Sequence, residues 1–222
     1  MFAEPRPMAA GESVWIEDLT WMEVRDLVRE GTTTAIIATG GMEQNGPYLV
    51  TGKHNVILAG TCSALARRLG NALCAPIVKL VPEGDLDEVT GHLRYPGTIS
   101  VRQETFEMML TDIARSLEIG GFTEIILIGD SGGNQRGLQN VAADLNERWA
   151  GTGSVARYVP EYYVYREMLD YMENELGVEQ PADDGHHDDF AITSMMMAVD
   201  PQSVRTKQRI AAGKFQLFLR EI

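Results

Sequence analysis

Glu124-Ile125-Ile126-Leu127-Ile128-Gly129-Asp130-Ser131-Gly132-Gly133-Asn134 is a short apolar run that breaks into a glycine-rich turn. A run this short, rich in isoleucine and bounded by glycines, reads as a strand buried on both faces. The sequence after the turn is helix-compatible to about Trp149, so the unit is strand, turn, helix. Upstream, Gln103 to Ile119 sets apolar residues at 106, 109, 110, 113 and 117, an amphipathic helix stopped by Gly120-Gly121. Earlier still, Thr33 to Ala38 (TTAIIA) repeats the buried-strand pattern, and Thr20-Trp21-Met22-Glu23 fits a capping box opening a helix that ends near Gly31. Between these lie a helix over Val56–Leu69 and a strand over Ala75–Val81. Downstream come a strand at Val155–Val159, a helix at Tyr163–Leu176 and an apolar stretch, Phe190–Val199.

Strands and helices alternate at βαβ spacing, which predicts an α/β fold: a layered α/β/α domain with a mostly parallel sheet. With no repeat or linker in view, residues 1–222 are read as one domain, and 1–14 as a loose arm rich in Pro, Ala and Gly.

The net charge of −13 argues against a nucleic-acid partner, because that affinity rests on Lys and Arg neutralising phosphates. No basic cluster longer than a pair and no apolar run of spanning length occurs, so no membrane partner is expected. The opening Met1–Pro7 lacks an apolar signal core, so a soluble, cytoplasmic protein is expected; export with a leader already removed is the alternative. The two cysteines, Cys62 and Cys74, form no CxxC pair and are read as buried free thiols.

Function falls to a few polar residues. The four histidines, His54, His92, His186 and His187, lie in loops or at loop junctions. Glu43 sits in a long loop, Gly41 to Asn55, leaving the first strand, where α/β folds usually put ligands. Gly129-Asp130-Ser131-Gly132-Gly133 lacks the Lys of a phosphate loop. It matches G-x-S-x-G literally, which raises a serine hydrolase with Ser131, Asp183 or Asp184, and His186 or His187. Asp188 and Asp189 read either as an N-cap pair opening the last helix or as carboxylates orienting His187.

Four ordered segments resemble the creatininase family. Glu43-Gln44-Asn45-Gly46-Pro47-Tyr48-Leu49-Val50 is similar to its Glu-Gln-His-Gly-Pro-His-Leu-Pro, and Gly91-His92-Leu93-Arg94-Tyr95-Pro96-Gly97-Thr98 to its Gly-x-x-His…Phe-Pro-Gly-Thr. Gly129–Asn134 stands for its Asn-Gly-His-Gly-Gly-Asn, and His187–Ser194 for its late His-Ala-Gly-x-x-Glu-Thr-Ser. The resemblance implies a parallel α/β scaffold, two divalent metals, a catalytic histidine at His187 and a homo-oligomer, often a hexamer. The departures fall on the metal ligands: Asn45, Ser131 and Gly133 replace donors, His54 stands for a bridging Asp, and Ile192 for the late Glu. A neutral imidazole offers one lone pair and cannot bridge two cations as a carboxylate does. One divalent metal, Zn or Mn, is therefore expected on Glu43, His54 and Asp130.

The expectation is a metal-dependent hydrolase acting on a C–N bond of a small amide, a cyclic amide or a lactone through metal-activated water. His187 is the expected acid/base, oriented by Asp188 or Asp189. Asn45, His92, Tyr95, Gly132, Gly133 and Asn134 are the expected substrate contacts, with the glycine N–H groups for the oxyanion. The alternatives are the Ser131 hydrolase and a catalytically silent small-molecule binder on the same scaffold.

Overall fold

In the computed structural model, which describes residues 3–179 and 187–213, the quoted run forms one of two central strands in a four-stranded parallel sheet. The strands are β1 (Thr34–Thr39), β2 (Ala72–Cys74), β3 (Glu124–Gly129) and β4 (Val155–Tyr158), in the order β2-β1-β3-β4. Thr34 pairs with Glu124 and Thr39 with Gly129, so β1 and β3 end level and their exit loops leave the same edge.

The period-two alternation of strands sorts the core into two layers. Ala35, Ile37, Ile125 and Leu127 point to a core with Phe106 and Leu110 of α3 (Gln103–Ile119) and Leu138 and Val141 of α4 (Gln135–Arg148). Ile36, Ala38 and Ile128 point to the other side, against Leu58, Cys62 and Ala66 of α2 (Lys53–Leu69). This is the expected α/β/α layering. The capping box opens α1 (Trp21–Arg29): Thr20 Oγ1 accepts from the Glu23 N–H at 3.4 Å, and the Thr20 N–H donates to Glu23 Oε2 at 2.7 Å. The C-terminal helices are α5 (Tyr165–Leu176), α6 (Phe190–Val199) and α7 (Thr206–Ala211). α6 packs on α2 through Ile192 and Met196 against Ile57. Among the described residues no helix is long and apolar enough to cross a membrane.

Three local expectations change. The strand foreseen at Ala75–Val81 is β2, three residues earlier; Pro76 has no N–H for the ladder, and Val78 and Val81 make only single bridges. α2 begins at Lys53 instead of Val56, which puts His54 in its first turn and not in a loop. Cys62 and Cys74 are not free thiols but a disulfide, both fully buried, with Cα atoms 6.3 Å apart. The bridge ties α2 to the strand that follows it, β2, across 12 positions of chain.

Thiol titration of the denatured, unreduced protein should therefore detect no free cysteine, and two after reduction. Cys62→Ala with Cys74→Ala should cost about 3 kcal/mol in chemical denaturation, the scale for a short closed loop.

Candidate active site

The level ends of β1 and β3 place two loops side by side at the carboxyl edge of the sheet, and Asn134 clamps them together. Its Nδ2 donates to the carbonyls of Thr39 and Gly40, each at 2.9 Å. Beyond the clamp the first loop is folded by Asn45, whose Nδ2 donates to the carbonyls of Glu43 at 3.0 Å and Val50 at 3.1 Å. Glu43 is thereby turned inward and buried.

Four side chains converge on that carboxylate. Lys53 Nζ lies 3.2 Å, His54 Nε2 2.8 Å and His187 Nδ1 3.1 Å from Oε1, while His92 Nε2 lies 3.2 Å from Oε2. His54 continues the chain, with Nδ1 at 2.7 Å from Asp130 Oδ2. Lys53 and His54 open α2, a helix with no acidic residue in its first turn. Basic groups there oppose the helix dipole, so Glu43 and Asp130 supply the anions the helix itself lacks.

The electrostatics follow. Burial works against charge on Glu43, but hydrogen bonds from His187 and His54, with the His54 and Lys53 charges, hold it well below the usual carboxylate range. Burial also works against a charged His54, yet its bonds to Asp130 and Glu43 raise its pKa. The imidazole therefore favours the form that donates from both nitrogens. His92 is lowered, chiefly by burial. Its ring meets that of His187 edge to face, with centroids 4.6 Å apart.

Sequence reasoning missed Glu83. This residue is buried, and burial together with the Glu43 charge pushes it up to about 8. Its Oε1 has no hydrogen-bond partner among the described residues and sits where a Cβ on Gly41 would be, at 2.2 Å. Glycine at 41 is what lets this carboxyl approach. The usable signal was its place directly after an apolar run, in Leu80-Val81-Pro82-Glu83-Gly84. Lys53 was missed too, adjacent to a histidine that had been singled out.

Glu43, His54, Asp130, His92, His187, Ser131, Gly132 and Gly133 all line one cavity of about 720 Å³. Glu43, His54 and Asp130 do meet, as a hydrogen-bonded chain bridged by His54. Among the described residues, Glu43, His92 and His187 are the group whose ligand atoms all lie within 4.8 Å of one another. Asn134 and Asn45 are buried in backbone contacts, and Tyr95 is 53% exposed and outside the lining. Asp189 caps α6, accepting from the Ile192 N–H at 2.8 Å, and Asp188 pairs with Arg209 at 3.3 Å; neither bonds His187. Ser131 has ordinary extended backbone (φ −124°, ψ 146°), unlike a strained nucleophile elbow, and no histidine bonds its hydroxyl among the described residues. Asp183, Asp184 and His186 lie outside the described residues.

The site thus sets a buried carboxylate and histidines at the carboxyl edge of a parallel α/β sheet. The family described as "Creatinine amidohydrolase" matches residues 17–221, and the chain belongs to this creatininase family. It is 24% identical over 201 residues to the creatinine amidohydrolase of Pseudomonas putida, covering 87% of this chain and 74% of that protein. It is 26% identical over 131 residues to a mycofactocin precursor peptide peptidase of Mycolicibacterium smegmatis, covering 57% of this chain and 50% of the relative. A creatininase crystal structure superposes with a TM-score of 0.69 at 22% identity, over 87% of this chain and 75% of that one, a likeness of fold.

Two outcomes test this geometry. A carboxyl raised to about 8 holds its proton in the folded chain between its ordinary value of 4.5 and about 8, where the unfolded chain has lost it. Raising the pH across that window therefore destabilises the fold. In chelator-treated protein the melting temperature should fall from pH 5 to pH 8, and Glu83→Gln should flatten the fall. A fluorophosphonate should leave Ser131 unlabelled, read by intact-protein mass spectrometry.

Proposed function

We propose that the chain is a metal-dependent amidohydrolase that cleaves a C–N bond of a small amide or cyclic amide, with one divalent ion, zinc or manganese, on Glu43, His92 and His187. The observation carrying this reading is the convergence of those three donors within 4.8 Å at the cavity floor. One carboxylate and two imidazoles fit such an ion and leave a further coordination position open. A bound ion would polarise the substrate carbonyl and bring the pKa of water towards about 7.

The remaining roles belong to the chain's own residues. The sequence put the ion on Glu43, His54 and Asp130, but an imidazole donating from both nitrogens has no lone pair to give. His54 and Asp130 are therefore assigned to holding Glu43 in position, with Lys53 balancing its charge. Glu83, protonated up to about pH 8 and lining the cavity, is the candidate to deliver a proton to the leaving nitrogen. His187 passes in this reading from acid/base to ligand.

Metal-stripped protein should take up about one equivalent of Zn²⁺ or Mn²⁺ by elemental analysis, as a single three-donor site requires. His92→Ala and His187→Ala should each weaken that uptake at least ~10-fold, while Asp130→Asn should keep it. Loss in Asp130→Asn with retention in His92→Ala would return the ion to the other set.

A further inference from the structure

The cavity has two unlike halves. The floor carries the carboxylates and histidines just described. An apolar wall is built from Tyr162, Tyr163, Tyr165, Met168, Ile192 and Met195, contributed by the segment leading into α5, by α5 itself and by α6.

The polar ends of two of the tyrosines are already engaged. The Tyr162 hydroxyl bonds Thr61 Oγ1 at 2.7 Å, and the Tyr165 hydroxyl donates to Asp189. The Tyr163 hydroxyl lies beside the Gly132 backbone, so what the three tyrosines leave for a ligand is mainly ring surface. The thioethers of Met168 and Met195 add an adaptable apolar lining. Ile192 fills the same wall with a branched aliphatic side chain.

We infer that the substrate is an uncharged amide carrying a bulky apolar group, aromatic or branched, next to the scissile bond, with that group seated against this wall. The inference rests on the amidohydrolase reading of the same pocket and names its substrate class. Size supports it: about 720 Å³ is the range of cavities that enclose drug-sized ligands. A small polar ring such as creatinine would leave the wall facing water. Charge supports it as well. Lys53 is the one lysine or arginine in the described lining, and its Nζ is held by Glu43. No second ammonium or guanidinium in the described lining is offered to a substrate carboxylate.

The test is isothermal titration of chelator-treated protein with N-acetylphenylalaninamide, N-acetylglycinamide and creatinine. The phenylalanine compound should bind at least ~10-fold more tightly than either of the others, the scale of burying one aromatic side chain. Met168→Asp, at a half-buried position, should erase most of that preference, with thermal melting to check the fold. Tyr163→Ala, at an exposed position, should reduce it if the first variant fails to fold. Equal affinity across the three compounds, or a preference that survives in every folded variant, overturns the inference. Because binding is read without metal, the two readings separate. Metal uptake with no apolar preference sinks only this inference, and a preference with no metal uptake sinks only the metal site.

Discussion

A buried carboxylate that must stay charged is the constraint on which this site depends. Glu43 is 2% exposed, and an unpaired charge so placed would cost several kcal/mol or take up a proton. The fold answers with Lys53 and His54, which open α2 although their position opposes that helix's dipole. Asp130 then balances His54 from the end of β3. None of these four groups is well placed alone, and each is stabilised by the next. The level register of β1 and β3 matters for this reason: a shift of one residue would carry Asp130 out of reach of His54.

The departures from the family pattern take on physical meaning in this arrangement. Where the family resemblance implies a second metal ligand, Asn45 instead ties its own loop through two backbone carbonyls. Gly133 could hold no side chain, because a Cβ there would lie 2.3 Å from the Pro82 carbonyl oxygen. Ile192, where the resemblance implies a carboxylate, packs in an apolar cluster and lines the cavity. Asn45 and Ile192 thus serve packing and loop structure, and the Glu43 carboxylate is neutralised by protein cations.

Much of the scaffold was legible because its strands are short, apolar and bounded by glycine, and because α3 and α4 keep a clean helical period. β2 was misplaced because Ala72–Cys74 is too short to declare itself beside the more apolar Ile77–Val81. The start of α2 was missed because Lys53 and His54 are poor first-turn residues, retained for their partners and not for the helix. In the site, Glu43, His54, Asp130, His92 and His187 were all singled out, since each is a rare or motif-borne polar residue in a loop or at a loop junction. Their pairing was not legible: whether His54 gives a lone pair or donates twice depends on Asp130, 76 positions away. Glu83 carried no motif, and only its three-dimensional approach to Gly41 and Glu43 singles it out. The apolar wall was read simply as helix.

Glu43 and His187 touch across 144 positions of chain. Local order can form early in such a protein, because α3, β3, α4 and β4 follow one another and close through short connections. The pocket floor cannot. It is finished only when the last third of the chain has returned to the edge of a sheet whose first strand was laid down near the start. The chemistry of the site thus depends on a contact that closes a loop of 144 positions.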